Sequence, residues 1–586
     1  MFTRFFNRET LIVIATVFVV TICLTLAYGY LPKQKAITQT SHLLTDPFLQ
    51  LPTATSVRVV WFTEFAGSKH MVSYGENLQR TAFANTTKLS RLREDQQSRV
   101  GKQTQDGQIY QHPVKRDIWR HEAEVVELTP GKRIPYRVTS VEENSNLVSS
   151  QIFSLAPAPM PSTPLKILLT SDHQLKPMTA ANLQKVVKTV GQVDAVFFAG
   201  DLVDIADRAS EWFDDNRGNP FFPTLQGRAK YEIEFNRIKT SYIGGEIIQH
   251  APMFTTIGNH EVMGRFGRKG SLGGEFNDAI PRDIAKKLYG AQSLKNNSFN
   301  TDTYEEIFTL PQSKEGGETY YAVSFGDVRL VVLYAANIWR TPNLDAAARG
   351  KYQEREKDLQ FPVEWGYGQH IFEPITQGSQ QYNWLRKELN SPEFKKAKYK
   401  VVMLHYPPHS LGDNIVPAYT APVQKIERNT LNQIKAVRYE YPLDADYIIR
   451  DVVPLLEVAH VQLVFYGHSH LWNRFYSQLK MHFLETSNVG NTYGAFLGKK
   501  QRQVPVEYQE NYVKFGDPNE LEAVIPTISP LSKDGQQIPY VASNEITVFS
   551  IFNTGTGTIT SYRFDTRKPD SEVVKFDEFR LQVDGS

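Results

Sequence analysis

Residues 165–174 read LKILLTSDHQ, an apolar run that ends just before Asp172. Four further apolar runs end in the same way, each shortly before a residue that can bind a metal ion: 195–199 before Asp201, 253–257 before Asn259, 399–404 before His405, and 461–466 before His468. Buried parallel strands read as such runs, and sites in α/β sheets lie at the carboxyl ends of strands. Because helical patterns alternate with these runs, the sequence predicts an α/β domain with its site at the strand ends.

The polar residues after these runs can be divided between two metal ions. We expect the Asp201 carboxylate to bridge both ions. We expect the first ion to be held also by Asp172 and His470. We expect the second ion to be held also by Asn259, His405 and His468. Carboxylate, amide and imidazole ligands together suit Fe, Zn or Mn better than Mg or Ca. Two ions about 3.5–4 Å apart form a clamp for attack on phosphorus, so the sequence predicts a phosphoric ester hydrolase that uses a metal-bound hydroxide.

Residues beside the ligands have predicted roles in catalysis. His260 cannot easily share the ion of Asn259, and we expect it to stabilise the phosphoryl oxygens or to protonate the leaving group. Glu261 would orient His260. His409 is either a substrate-facing residue or an exposed loop histidine.

The sequence leaves three candidates for a further ligand of the first ion, namely Gln174, His173 and Asp204. Gln174 could bind through its amide oxygen, and Asp204 could fill the same vacancy. His173 follows Asp172 directly, and successive residues at a strand end point in different directions. This favours a position for His173 behind the ligands or facing the substrate.

These motifs resemble the calcineurin-like metallophosphoesterase superfamily over residues 165–490 and, within it, the purple acid phosphatases. The resemblance is carried by Gly-Asn-His-Glu at 258–261, by Val402 and His405, and by Gly-His-Ser-His at 467–470 with Leu-Trp-Asn-Arg after it. It implies a four-layer αββα sandwich, a dinuclear centre of divalent or trivalent ions, and acid phosphatase-like hydrolysis of phosphomonoesters.

The chain departs from the purple enzymes at two positions. Asp204 stands where those enzymes have the tyrosine that binds ferric iron and gives the colour. Gln174 stands where the superfamily commonly has the histidine of an Asp-x-His motif. The sequence therefore predicts a colourless protein whose first metal site differs from that of its coloured relatives.

A second predicted domain precedes the α/β domain. Residues 47–155 show short strand patterns with turns between them, which predicts an all-β sandwich that resembles the fibronectin-III-like domain of purple acid phosphatases. Within it, residues 94–107 are charged and glutamine-rich, so we expect a hairpin tip or a surface loop there. A proline-rich linker at 156–164 then leads to the catalytic domain, residues 165–586 with insertions.

The N-terminus predicts a membrane partner. Residues 10–32 carry no charge and are long enough to span a bilayer as a hydrophobic helix. They form a signal anchor or a signal peptide within residues 1–32, and a polar spacer follows at 33–46. Either interpretation predicts an extracytoplasmic protein, membrane-anchored or secreted.

Composition excludes other partners. The 65 basic and 63 acidic residues leave a net charge of +2, with no signature of nucleic-acid binding. Because Cys23 is the single cysteine, no intrachain disulfide can form. Two alternatives to a phosphomonoesterase remain, namely a phosphodiesterase or nucleotide hydrolase on the same metal core, and more remotely a non-catalytic binding protein.

Overall fold

The structure, a computed structural model, describes residues 42–101, 103, 109–506 and 512–583. The predicted hydrophobic helix at residues 10–32 lies outside these ranges, as does the spacer up to residue 41. Within the described ranges, no helix is both long and apolar enough to cross a bilayer. The membrane partner therefore stays a prediction from the sequence.

The first described region is all-β. Its strands are β1 Phe48–Gln50, β2 Val57–Thr63, β3 Lys69–Tyr74, β4 Arg80–Phe83, β5 Asn85–Lys88, β6 Arg93–Glu94, β7 Val114–Lys115, β8 Trp119–Val125, β9 Ile134–Val141, β10 Leu147–Ser149 and β11 Phe153–Leu155. One sheet has the order β1-β2-β8-β5, and a second has β10-β9-β3-β4 with β11 also on β9. Along β9 buried and half-buried residues alternate, and Trp61, Val72 and Tyr136 pack between the sheets.

The following region contains two larger mixed sheets. Its strands are β12 Lys166–Thr170, β13 Ala195–Phe198, β14 Tyr231–Phe235, β15 Ile238–Tyr242, β16 Met253–Thr255, β17 Tyr321–Phe325, β18 Val328–Val332, β19 Tyr399–Met403, β20 Val423–Arg428, β21 Ile434–Glu440, β22 Leu463–Tyr466, β23 Trp472–Tyr476, β24 His482–Thr486, β25 Ser532–Lys533, β26 Gln536–Gln537, β27 Tyr540–Val541, β28 Ile546–Asn553, β29 Thr558–Asp565 and β30 Val574–Arg580.

The two sheets bring the five motifs together. One sheet has the order β16-β13-β12-β28-β29-β30, and β16, β13 and β12 run parallel. The other has the order β17-β18-β19-β22-β24-β23-β27, and β18, β19 and β22 run parallel. The sheets share one hydrophobic core, and Tyr399 of one packs edge-on against Phe552 of the other. The motif-bearing strands therefore end on the same side of the core.

Helices surround the sheets. They are α1 Thr179–Val190, α2 Ala209–Phe213, α3 Phe221–Leu225, α4 Leu272–Phe276, α5 Arg282–Tyr289, α6 Leu294–Asn297, α7 Asp302–Ile307, α8 Gln380–Glu388, α9 Pro392–Lys396 and α10 Val453–Val458. The serines before α8 and α9 cap them, because Ser379 and Ser391 accept hydrogen bonds from the third backbone N–H that follows each serine. The region is thus an α/β sandwich that follows an all-β region, which agrees with these two parts of the predicted fold class.

The stretch predicted as a hairpin tip or a surface loop, residues 94–107, begins in the antiparallel hairpin of β6 and β7, so the hairpin is confirmed, but the expected exposure is wrong at its start. Glu94 and Asp95 are buried. Glu94 accepts a hydrogen bond from Arg116, and Asp95 accepts one from Arg208, which follows the second motif. Paired carboxylates can be buried at tolerable cost, and charge composition alone does not reveal the partner.

Candidate metal centre

Backbone strain is present at three of the five motifs, the first, the second and the fifth. The non-glycine residues with a left-handed backbone include Asp172 (φ 58°), Gln174 (37°), Asp201 (56°), His468 (83°) and His470 (53°). Such conformations cost of order 1–3 kcal/mol each and cluster at functional sites. The surrounding sheets therefore hold these residues in a geometry that the free chain would avoid.

Two glycines allow the motifs to touch one another. A Cβ on Gly258 would lie 2.2 Å from Asp201 Oδ1, and a Cβ on Gly467 would lie 2.2 Å from Asp172 Oδ2. Each glycine thus lets the backbone of one motif pass over the carboxylate of another. This explains the glycine before Asn259 and the glycine before His468.

Four candidate ligand atoms converge in what we call the second-ion half: Asp201, Asn259, His405 and His468. His405 Nε2 lies 3.1 Å from His468 Nδ1, 3.2 Å from Asn259 Oδ1 and 3.3 Å from Asp201 Oδ2. His405 Nδ1 lies 2.7 Å from the Ala199 carbonyl oxygen, which holds its proton and leaves Nε2 for the centre. The chain itself therefore assembles these four atoms around one point.

Electrostatics show that this half attracts a cation. Burial alone would lower the pKa of His405, but the Asp201 carboxylate raises it to about 10. Burial and the neighbouring His405 lower the pKa of His468. A positive charge is thus favoured where lone pairs of nitrogen and oxygen crowd together, so the residues fit a metal ion.

The first-ion half, Asp172, His470 and Gln174, is also buried but is less closely assembled. His470 Nε2 lies 3.5 Å from Asp172 Oδ1, and His470 Nδ1 lies 3.0 Å from the Asn491 carbonyl oxygen. The Asp172 carboxylate accepts the backbone N–H of His468 at 2.9 Å. Gln174 donates its amide N–H to Asp201 Oδ2 at 3.1 Å, while its Oε1 is buried without a partner. A buried oxygen without a hydrogen-bond partner can serve as a ligand of a cation.

His260 lies at the solvent side of the centre. Its backbone N–H donates to Asp201 Oδ1 at 2.9 Å, and its ring Nδ1 lies 2.7 Å from the Asp204 carbonyl oxygen. Its Nε2 lies 3.9 Å from Asp201 Oδ2. The side chain is about one-fifth exposed, so it can reach a substrate above the ligands.

Glu261 holds backbone instead of orienting the ring of His260, so that prediction is wrong. Its carboxylate accepts the N–H groups of Asp201, Leu202 and Gly258 at 2.7–2.8 Å. It therefore ties the second motif to the third. Asp204 supplies the contact to His260 through its carbonyl oxygen, while its own carboxylate is half exposed.

Two predicted histidines point elsewhere. His173 is buried edge-on against Phe198, and its Nε2 lies 2.9 Å from Thr170 Oγ1, so it faces neither a ligand nor the substrate. His409 is neither exposed nor at the centre, because it forms a buried ion pair with Asp517, 2.6 Å from Nδ1 to Oδ2. A local motif does not reveal Asp517, which is 108 residues away along the chain.

Sequence reasoning missed two residues that shape the first-ion half. Asn491 holds His470 through its carbonyl oxygen, and the ring of Tyr493 stacks on the ring of His470 at 5.7 Å. Both follow β24 in a segment without regular structure. No motif marks this segment, and only the strand pairing of β22 with β24 places it beside the fifth motif.

Comparison with known proteins decides the family. The sequence matches the family described as calcineurin-like phosphoesterase over residues 165–471, more than half of the chain. The chain belongs to the calcineurin-like phosphoesterase family. It is a metallophosphoesterase, and its family implies divalent or trivalent metal ions, as the resemblance predicted. No curated protein matches the chain at a significant level of sequence similarity.

Solved structures give more distant similarities. Purple acid phosphatase PPD1 from yellow lupin (Lupinus luteus) seeds is 13% identical, with a TM-score of 0.49 over 91% of this chain and 73% of that chain. PhoD is 12% identical, with a TM-score of 0.39 over 94% of this chain and 95% of that chain. Because both TM-scores lie below 0.5, the family assignment rests on the sequence match.

Proposed function

We propose that this metallophosphoesterase is an acid phosphatase-like phosphomonoesterase with a dinuclear metal centre. The observation that carries the proposal is the convergence of His405, Asn259, Asp201 and His468 within about one hydrogen-bond length of His405 Nε2, beside the Asp172–His470 pair. Asp201 lies between the two sets and would contact both ions.

The metal ions, when bound, would supply Lewis acidity toward the phosphoryl oxygens and activate water for attack on phosphorus. The chain's own residues would position the reaction. His260 is held by Asp204 through Nδ1, so its Nε2 is free to hold a proton beside the leaving oxygen. Glu261 keeps the backbone of Asp201 and Gly258 fixed during turnover.

The test compares His260→Ala with His250→Ala in metal-loaded protein, using p-nitrophenyl phosphate and its bis ester as substrates. His250 pairs with Glu246 at 2.9 Å in a helix-like turn and serves as the matched control. We expect His260→Ala to keep its metal and to lose about 10²–10⁴-fold in kcat on the monoester. Full activity of His260→Ala would contradict the assigned role, and preference of the wild type for the bis ester would favour a phosphodiesterase.

We also propose that the protein is exported across a membrane, either anchored or secreted, on the basis of the uncharged residues 10–32. Cell fractionation combined with N-terminal sequencing tests this. Protein found in a membrane or extracytoplasmic fraction supports the proposal, and cytosolic protein with an intact N-terminus contradicts it.

A further inference from the structure

A pocket of about 390 Å³ has a strongly basic lining and includes Asn277, the residue after Phe276, whose ring packs against that of His260. We call it the basic pocket, and its lining includes Lys269, Asn277, Trp339, Arg340, Arg349 and Arg355. Among the described residues that line it, none is acidic. Four cationic side chains on one concave surface are the usual setting for an anionic ligand.

Arg340 is a buried cation whose charge the carboxylates of Glu354 and Asp278 offset only in part. It is buried, 4% exposed, and its guanidinium donates to the carbonyl oxygens of Asn277, Ala279 and Gly366. Its Nε has no partner, and it forms no ion pair among the described residues. Burial and the neighbouring Arg349 lower its pKa to about 10, although the carboxylates of Glu354 and Asp278 act in the opposite direction. A buried cation that is compensated only in part is stabilised further by a bound anion.

The carboxylates near the basic pocket already have other partners. Asp278 is fully buried and contacts Arg265 at 2.8 Å and Arg349 at 3.2 Å. Glu364 pairs with Lys269 at 3.1 Å and also with Arg268. Two further carboxylates belong to this group, Asp358, which pairs with Arg355, and Glu354, which is buried near Arg340 and Arg349. These four carboxylates face six cations and so leave positive charge for a bound anion; the cations are Arg265, Arg268, Lys269, Arg340, Arg349 and Arg355.

Two chain segments connect the basic pocket to the metal centre. The ring of Phe276 packs 5.0 Å from the ring of His260, and Asn277, the next residue, lines the pocket. On the other side, the backbone N–H of Tyr406, next to His405, donates to the carbonyl oxygen of Ala335, which shortly precedes Trp339. The Phe276 ring thus lies between His260 and the point at which Asn277 lines the pocket.

We propose that the basic pocket binds a phosphate group of the substrate that is not hydrolysed, so that substrates with two or more phosphate groups are preferred. This inference rests on the proposed phosphoesterase function. Guanidinium groups bind phosphate with paired hydrogen bonds, and a remote contact of this kind lowers KM for every substrate long enough to reach it.

The test uses a double variant, Lys269→Gln with Arg355→Gln, because both side chains are partly exposed and pair only with carboxylates. Arg340 is left intact since it holds three backbone carbonyls. The matched control is Lys239→Gln with Arg567→Gln, which removes equal charge from the exposed pairs with Glu232 and Asp565.

The substrates are p-nitrophenyl phosphate, pyrophosphate, tripolyphosphate and longer inorganic polyphosphate. We expect the double variant to lose about tenfold in kcat/KM on the chains that reach the pocket and to keep its activity on p-nitrophenyl phosphate. The control variant should match the wild type on all substrates. An equal loss on p-nitrophenyl phosphate and polyphosphate, or no loss on any polyphosphate, would overturn the proposal.

Binding to metal-free protein separates this proposal from the proposed function. If the wild type hydrolyses no phosphate ester, the proposed function fails, and calorimetry with tripolyphosphate still tests the pocket. We expect about tenfold weaker binding by the double variant than by the wild type and the control. Equal Kd values for all three proteins would overturn the proposal that the basic pocket binds phosphate groups. Inorganic phosphate that binds the wild type as tightly as tripolyphosphate would assign the pocket to free phosphate and overturn its role for substrates.

Discussion

The two halves of the metal centre differ in how completely the chain assembles them. In the second-ion half, candidate ligand atoms of Asp201, Asn259 and His468 lie within 3.3 Å of a fourth, His405 Nε2. The Ala199 carbonyl oxygen fixes the ring of His405. In the first-ion half, Asp172 and His470 are 3.5 Å apart, and Gln174 is turned toward Asp201. We infer that the second-ion half is preorganised, whereas the first-ion half needs its ion to draw Gln174 into place.

The largest effect is expected where both halves depend on one residue. Asp201→Asn should reduce the content of both metals and lower kcat on p-nitrophenyl phosphate by on the order of 10²–10³. Asp283→Asn is the matched control, because its carboxylate is exposed and pairs with Lys287 at the surface, 3.7 Å away. Metal analysis and steady-state kinetics measure both, and unchanged metal content in Asp201→Asn would contradict the bridging role.

The next comparison removes one histidine from each half. His405→Ala should abolish metal binding in the second-ion half, which we expect to hold its ion more tightly. His470→Ala should leave one equivalent of metal bound in that half. Each variant is first freed of metal with a chelator and then titrated with Zn²⁺ or Mn²⁺ in a calorimeter, which distinguishes the two variants. If His470→Ala lost both equivalents, the halves would not be independent.

Two glycine substitutions test the close approach of the motifs. Gly258→Ala would press on Asp201 and Gly467→Ala on Asp172, so each should lower the free energy of unfolding by about 1–3 kcal/mol. Gly270→Ala is the control, because a Cβ there meets nothing within 4 Å. Denaturant unfolding of metal-free protein measures the effect, and wild-type stability in the first two variants would contradict this packing.

Gln174 and His173 give a finer comparison within one motif. Gln174→Ala should weaken the first-ion half by about 10–100-fold in metal affinity, the range for groups that orient or complete a site. His173→Phe should leave both affinities unchanged, since His173 packs against Phe198. Metal titration of the two variants measures this, and the reverse outcome would make His173 the ligand.

The smallest expected effect is spectroscopic. Asp204 stands where the coloured relatives have tyrosine, and Tyr493 stacks flat on His470. Iron-loaded protein should therefore lack a strong visible charge-transfer band. An intense band would contradict this prediction, and its loss in Tyr493→Phe would identify Tyr493 as an iron ligand.

The strand–motif units could be predicted because each is local. β12, β13, β16, β19 and β22 are short apolar runs, and each ends within a few residues of the expected boundary. A glycine or a polar residue directly after a run marks the point where the backbone leaves the sheet. The positions of Asp172, Asp201, Asn259, His405 and His468 follow from this pattern.

Contacts between distant segments could not be predicted from local pattern. Strand β28 pairs antiparallel with β12 in the middle of the sheet that contains β16, β13 and β12, although 381 residue positions separate Leu169 from its partner Ser550. The carboxylate of Asp517 contacts His409, and the carbonyl oxygen of Asn491 contacts His470. Only the order of the strands in the sheet brings these residues together. The basic pocket likewise combines α4 with the segments around Arg340 and Arg355, which the sequence presents as separate insertions.

The most direct test of a dinuclear centre with unequal halves is activity measured against bound metal. Chelated wild-type protein is titrated with one metal ion while hydrolysis of p-nitrophenyl phosphate and bound equivalents are recorded together. We predict that the first equivalent binds with little activity and that activity rises only with the second, weaker equivalent. Full activity at one equivalent, or no activity at two, would contradict the account.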